Sequence, residues 1–430
     1  MHFVSICHQH GCKLWNVSVL SILVLTACNV LLMLRLLHTE CTNISADSVP
    51  KPHPPLPPLI LDNVVISNVS PIFNVDPRLG RWDTRHTYKM IDHALVGTLF
   101  TELSESFSVC LATQTSLEKV HSLVQVAHHW NGPISAALFA AGDEEFSILQ
   151  VRERVSFQLA FPKEKIPTTS LFVETSSHLD CTRPEASLGK LLKKRSPDIV
   201  RWRLRNPYPQ NHMRNLARKN CQSPHVFLTD VDIIPSTNLA DGLNNFFKTE
   251  NCNALCAYVV PTYELDDRVQ FPRNKTELVR LTGRGLARPF HHKVFIYNQF
   301  ATNFSRWEQD KYINAVHVSH KVTNFEFLYE PFYVASDSVP PHDERFIGYG
   351  FTRNTQVYEM YVAGYEFFVL SPVFTIHWGL QHRKGRPSWR ERQNTNNRKN
   401  FDQFKREVFA RYHKDPLRMV AHQSKDNKLK

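Results

Sequence analysis

The sequence predicts an α/β fold built around a parallel sheet, and three features carry that reading. An apolar run at 107–113 is followed by helical periodicity and then by a second apolar run at 134–141, a strand–helix–strand pattern. A crossover of that size joins parallel strands. A third apolar run, residues 226–229, ends in Asp230 and Asp232, and ligands in open α/β sheets bind at the carboxyl ends of strands.

The first element in the chain is not part of that body. Leu14 to Leu34 is a run of 21 residues without Asp, Glu, Lys, Arg or His, bounded by Lys13 and Arg35. A helix needs about 20 residues to cross a bilayer. A cleaved signal peptide has a shorter core, about 7–15 residues, and ends at a small-residue site, whereas this run ends in Leu31-Leu32-Met33-Leu34. The expectation is a single N-terminal transmembrane anchor (14–34), a cytoplasmic tail (1–13) and a body in the secretory lumen. The flanking charges balance and do not decide the orientation. Glycosylation sequons at Asn43, Asn68, Asn274 and Asn303 agree with it. So do six cysteines beyond the anchor: Cys41, Cys110, Cys181, Cys221, Cys252 and Cys256. Cys252 and Cys256 read equally as a disulfide and as two separate buried thiols.

Pro50 to Pro58 holds six prolines in nine residues, which makes an extended, semi-rigid segment. It reads as part of a stem spanning 35–75, with the globular body at 76–430, enough chain for one large core or two closely packed subdomains. In that body Phe107–Thr113 is a strand. Leu117, Val120, Leu123, Val124 and Ala127 then recur at helical spacing to about Trp130. Asn131-Gly132-Pro133 breaks the helix, and Ile134–Ala141 forms the next strand. Thr169–Glu174 reads as a further strand, and Asn211–Asn220 as a helix leading into the strand before Asp230.

The formal charge is +11, and the last 49 residues contribute fifteen Lys/Arg against five Asp/Glu. A lumenal address excludes nucleic acid as the partner. Acidic donors, anionic glycans or headgroups remain, and a solvated helical face around Phe401–Tyr412 accounts for most of these charges.

In an extended strand, residues i and i+2 point to one side. Asp230 and Asp232 would then offer two carboxylates to a hard divalent cation such as Mg²⁺ or Mn²⁺. The pair alone also suits an ordinary solvated turn. A dehalogenase-type phosphohydrolase places the same pair after a strand, but there the motif opens the domain, and here over a hundred residues of α/β pattern precede it.

The remaining blocks carry a family resemblance. They are Thr229–Ser236, Thr302–Trp307, Tyr329–Ala335, His342–Asn354, Val362–Tyr365 and Ile376–Gly379. Together, over about 80–412, they resemble glycosyltransferase family 49. The resemblance implies a GT-A-type, Rossmann-like nucleotide-sugar-binding fold in a Golgi type II membrane protein. It implies UDP-glucuronic acid as donor, a xylose-terminated glycoprotein glycan as acceptor, and an inverting, Mn²⁺-dependent transfer. Homodimers and complexes with other Golgi glycosyltransferases are left open. So are another UDP-sugar, such as the N-acetylglucosamine donor, and a silent lumenal scaffold.

In that setting His377, closing the last apolar strand Pro372–His377, becomes a third metal ligand beside Asp230 and Asp232. The family commonly has His-Lys-Gly there, where this chain has His377-Trp378-Gly379, so a cation near the diphosphate comes from elsewhere, such as Arg383 or Lys384. Inversion needs a base for the acceptor hydroxyl. Asp343 and Glu344 are the candidates, Asp343 foremost, with the other carboxylate holding Arg345 or the acceptor. A glucuronate carboxylate asks for a bidentate arginine; Arg214 is the first choice, then Arg284 and Arg288. The segment Phe290–Tyr297 departs from the family pattern and leaves the acceptor open.

Overall fold

The computed structural model of the chain describes residues 73–146, 154–168, 171–173, 184–193, 195–250, 252, 254–382 and 388–420. The expected cytoplasmic tail and anchor, nearly all of the stem, Asn43, Asn68, Cys41, Cys181, Arg383 and Lys384 lie outside the described residues. Among those described, no helix is long and apolar enough to cross a membrane.

The body is organised on a ten-stranded sheet. Across it lie His317–Lys321, Glu366–Ser371, Cys256–Val260, Phe332–Ser336, His225–Leu228, Val109–Ser116, Ile134–Phe139, Val155–Pro162, Tyr88–Val96 and Arg81–Trp82. The expected crossover is present: Val109–Ser116 and Ile134–Phe139 pair in parallel, linked through the helix Val120–His129, which buries Leu123 and Val126. Val109–Ser116, Ile134–Phe139 and Val155–Pro162 follow one another outward, while His225–Leu228 returns to the opposite side of Val109–Ser116, also in parallel. Such a reversal leaves a crevice at the strands' carboxyl ends, because the two connecting chains leave in opposite directions. Both strands are wholly apolar in their inner halves: Val109, Leu111, Phe227 and Leu228 are buried.

Two expectations change. The run expected at 169–174 does not join the main sheet. Its described part, Leu171–Val173, pairs antiparallel with Phe73–Val75. Residues 73–75, assigned to the stem, therefore belong to the folded body: pairing satisfies their backbone groups, and Val75 enters the core.

The helix Gln210–Lys219 is where the expected Asn211–Asn220 helix should be, yet Asn211 through Arg218 are all buried. Its polar residues are tolerable inside because Asn211, His212, Asn215 and Arg218 meet the chain at 337–344 and Arg214 meets Asp230. Asn215 donates to the His342 carbonyl (2.8 Å) and accepts from the His342 N–H (2.9 Å). Asn211 donates to the Asp343 carbonyl (2.8 Å), and Arg218 to that of Pro340 (3.0 Å).

A second, four-stranded sheet is ordered Ala287–Pro289, Thr262–Leu265, Thr375–Trp378, Ile233–Pro235. It starts just after Asp232 and sets His377 beside both Ile233 and Glu264. The long helix Ser388–Tyr412 buries Phe401, Phe404 and Val408 against Phe346 and Tyr358, and leaves most of its basic residues in solvent. Asn397 on this helix donates to the carbonyls of Ile347, Tyr349 and Gly350. The turn there needs both its glycines: Gly348 and Gly350 have φ of +75° and +89°, and a Cβ on either would meet Gln393 or Asn394.

Cys110 and Cys221 form a disulfide, as do Cys252 and Cys256. The first ties a central strand to the residue after the buried helix across 111 positions of sequence. Cross-linking a loop that long restricts the unfolded chain by roughly 2–5 kcal/mol. Replacing Cys110 and Cys221 together with alanine is expected to lower the unfolding free energy by about that amount in urea titrations of oxidised protein. An unchanged midpoint would show that the bridge contributes nothing.

Candidate active site

At the switch point Gln114, Asp230 and Asp232 lie near or just beyond the carboxyl ends of the paired strands, and Asp230 sets the character of the site. The strand ends at Leu228, and Val231 and Asp232 form a turn closed by the Ile233 N–H on the Asp230 carbonyl (3.0 Å). The two aspartates are therefore not neighbours in one extended strand, as the i, i+2 reading required. Val231 is drawn into the core, and the chain turns to deliver it. The carboxylates consequently meet different partners.

Asp230 Oδ1 accepts from Gln114 Nε2 (3.0 Å) and from Arg214 (3.1 Å), and lies 2.9 Å from an Arg353 terminal nitrogen. Burial pushes this carboxyl up, but the guanidiniums of Arg353 and Arg214 outweigh it and hold it well below the usual carboxylate range. Tyr208 in turn donates to Gln114 Oε1. Asp232, partly exposed, has an ammonium against it: Lys119 Nζ lies 2.6 Å from Oδ2.

His377 faces the same region from the small sheet. Its Nδ1 is buried without a hydrogen-bond partner. Phe290 lies against its ring at 5.5 Å and stacks on His291 at 3.9 Å. Burial, with His377 adding to it, lowers the His291 imidazole to about 4, so at neutral pH it is uncharged. Beneath them Glu264 is fully buried and held by Arg288 Nε (2.8 Å), the His291 N–H (2.8 Å) and the Gln381 N–H (3.0 Å).

The expected ligands Asp230, Asp232 and His377 thus frame one end of the two sheets, but they do not form a tight triad. Among the described residues, one group of three ligand-type side chains converges within 4.8 Å, and it is Asp83, His212 and Glu344. The ligand set at the switch point, two carboxylates and an imidazole nitrogen without a hydrogen-bond partner, fits a divalent cation.

The remaining expected residues have definite places. Asp343 accepts from Arg345 through both oxygens, Nε at 3.0 and 2.9 Å and a terminal nitrogen at 2.5 Å. Arg345 continues to Glu407 on the last helix. The carboxylate that holds Arg345 is therefore Asp343, the one expected to be left for the acceptor. Glu344 accepts from Asn215 Nδ2 (3.0 Å) and lies 3.5 Å from His212. Neither contacts Asp230, Asp232 or His377. Arg214 and Arg288 are paired with Asp230 and Glu264. Arg284 is exposed at the end of its helix Lys275–Gly283 and has no acid partner among the described residues.

Sequence reasoning did not find Arg353, Glu330 or Lys119. Arg353 lies in the family block His342–Asn354, and Glu330 in Tyr329–Ala335, so the blocks marked them without saying what they do. Glu330 is raised by burial, against the pull of Arg353, and shares its field with Arg214 and Asp230. Asn298 donates to its Oε2 (3.2 Å).

Comparison with known sequences shows the family. Residues 108–413 match the family described as "Glycosyl-transferase for dystroglycan". Human beta-1,4-glucuronyltransferase 1 is 32% identical over 343 residues, which is 76% of this chain and 81% of that protein. Mouse xylosyl- and glucuronyltransferase LARGE2 is 29% identical over 272 residues, 63% of this chain and 34% of that one. Among solved structures, S. aureus TarS 1–349 in complex with UDP gives a TM-score of 0.33 at 9% identity, covering 63% of this chain and 60% of that one, a likeness too slight to argue from.

The field on Asp230 is testable by stability. A depressed carboxylate contributes stability that is present above its unfolded value, about 3.9, and is lost as pH falls through the folded value. Arg353→Leu is therefore expected to lower the urea midpoint at pH 7, with the gap to the parent chain narrowing below about pH 4. A gap of constant size would assign the effect to packing instead, since Arg353 also lies over the Phe332 ring at 4.3 Å.

Proposed function

The chain belongs to the family of glycosyl-transferases for dystroglycan, and from that premise we propose that it moves glucuronic acid from UDP-glucuronic acid to a xylose-terminated glycan on a glycoprotein, with inversion. The observation that carries this is the match to human beta-1,4-glucuronyltransferase 1, which extends over most of both chains. The crevice is consistent with it. An acidic pair lies at the switch point among the parallel strands of a mixed sheet, where a nucleotide-sugar diphosphate is met in α/β folds.

Asp230, Asp232 and His377 would hold Mn²⁺. Bound there, the ion supplies positive charge for the diphosphate oxygens as the glycosidic bond breaks. Lys119 places a further cation beside Asp232, a role for which Arg383 or Lys384 was expected. Of the three arginines expected to bind the glucuronate carboxylate, Arg284 is the one without an acid partner among the described residues. Cysteine pairing and exposed sequon residues Asn274 and Asn303 support a lumenal, Golgi-membrane body carried on the 14–34 anchor.

We infer that the base is Glu330: Asn298, which also meets His291 Nδ1 at 2.7 Å, donates to its Oε2 (3.2 Å). Both oxygens of Asp343 are engaged by Arg345, whereas Glu330 lies in the electrostatic field around Asp230 and is raised by burial. A raised carboxyl is a stronger proton acceptor once ionised. Its working form exists above the folded pKa, so the rate falls as pH drops through that value.

Purified enzyme should release UDP from UDP-glucuronic acid with Mn²⁺ and a β-xyloside, and much less without either. Turnover of UDP-N-acetylglucosamine instead would reassign the donor, and no turnover of any UDP-sugar would leave a silent scaffold. Asp230→Asn or Asp232→Asn should abolish Mn²⁺-dependent transfer in folded protein, and retention of activity by either variant removes it from the metal site. Glu330→Gln should lower kcat by ~10²–10⁴-fold with donor KM nearly unchanged, and Asp343→Asn should do less. The opposite order returns the role to Asp343.

A further inference from the structure

Three groups outside the switch point are brought together by parts of the chain far apart in sequence. Asp83 comes from the turn before the strand Tyr88–Val96, His212 from the buried helix, and Glu344 from the loop that the helix holds. His212 is 2% exposed. Its Nε2 is aimed between two carboxylates and lies 3.5 Å from Asp83 Oδ2 and 3.5 Å from Glu344 Oε2. That is too long for a good hydrogen bond to either. Its other nitrogen, Nδ1, is buried with no partner at all.

Among the described residues, no cationic side chain is in contact with the group. Arg81 feels Glu344, but its guanidinium is paired with Asp92 through two bonds, at 2.7 and 3.2 Å. Arg85 reaches Asp83 only through its backbone N–H (3.4 Å). Asp83 uses Oδ1 to accept the backbone N–H groups of Thr87 (2.6 Å) and Tyr88 (2.7 Å), which leaves Oδ2 turned toward the imidazole. Burial keeps His212 below its ordinary pKa despite both acids, so the ring is not the cation that the two carboxylates ask for.

The two nitrogen–oxygen spacings are close to those of ligands around a small ion. Two ligands of a tetrahedral zinc, each about 2.0–2.1 Å from the metal, stand roughly 3.3–3.4 Å apart. Here nitrogen and each oxygen stand 3.5 Å apart, and all three atoms fall within 4.8 Å. The ligand set, one imidazole and two carboxylates, leaves a fourth position on the side where Glu344 is partly exposed.

We propose that Asp83, His212 and Glu344 form a second divalent-cation site, of zinc type, separate from Asp230 and Asp232. Its ion ties the turn at 83–88 and the 342–346 loop to the buried helix, three segments not adjacent in sequence. The site shares no side chain with the switch point and does not depend on the proposed transfer reaction.

The test uses the full-length chain, dialysed into metal-free buffer and assayed for metal by mass spectrometry. The parent chain and the Asp230→Asn/Asp232→Asn double variant should each carry about one zinc. His212→Asn and Glu344→Gln should each lose at least tenfold in occupancy. Cobalt exchanged into the parent chain should show tetrahedral d–d bands that Glu344→Gln lacks. If His212→Asn does not fold, Glu344→Gln alone decides, because its side chain is partly exposed and the change is isosteric. Zinc absent from the parent chain, zinc retained in both ligand variants, or zinc lost in the double variant would each overturn the proposal.

Discussion

The geometry of this protein depends on Asp230 being held by two buried guanidiniums. Arg214 reaches it from the interior helix and Arg353 from the far end of the block that begins at His342. A carboxylate at the end of a buried strand is costly unless paired. Pairing it with two arginines from separate elements fixes where both elements lie. The same pairing leaves a strongly acidic group facing the crevice where the strand order reverses.

The helix Gln210–Lys219 is the second constraint. Helices inside a globular core are normally apolar, and this one is buried while carrying Asn211, His212, Arg214, Asn215 and Arg218. Its amides and cations are satisfied by carbonyls and acids of 337–344 and by Asp230. The helix thus positions the acidic loop on one side and the strand-end aspartate on another. The loop is clamped a second time from outside, where Arg345 joins Asp343 to Glu407 and Asn397 holds the glycine turn. One loop bound from two directions explains why the last long helix belongs to the catalytic body and is not a basic tail.

Much of the fold is legible in the residue pattern alone. The crossover from 107 to 141 is visible because strands and helices have different apolar periods, and those periods need no tertiary information. The Asp230 strand is visible as an apolar run ended by acids, and the glycine turn at 348–350 by its residue types. The stem boundary is misplaced by three residues. A short strand such as Phe73–Val75 has no local signature, and it exists only because Leu171–Val173 is there to pair with it. The roles of Asp343, Arg214 and Arg288 are not legible for a related reason: which acid meets which arginine is decided by chain segments that are distant in sequence.

By itself the sequence determined the α/β class, the position of the acidic pair at a strand end, the family blocks and the charged surface of the C-terminal helix. Each of these follows from local residue pattern, which is set by backbone geometry and by the need to bury apolar side chains. Only the tertiary structure decided that Asp230 and Asp232 face different partners, that Asp343 is bound to Arg345, that Glu330 shares the field of Asp230, and that His212 stands between Asp83 and Glu344. Those are long-range electrostatic choices. A buried charge takes its partner from whatever the fold brings within a few ångströms, and sequence spacing carries no record of that distance.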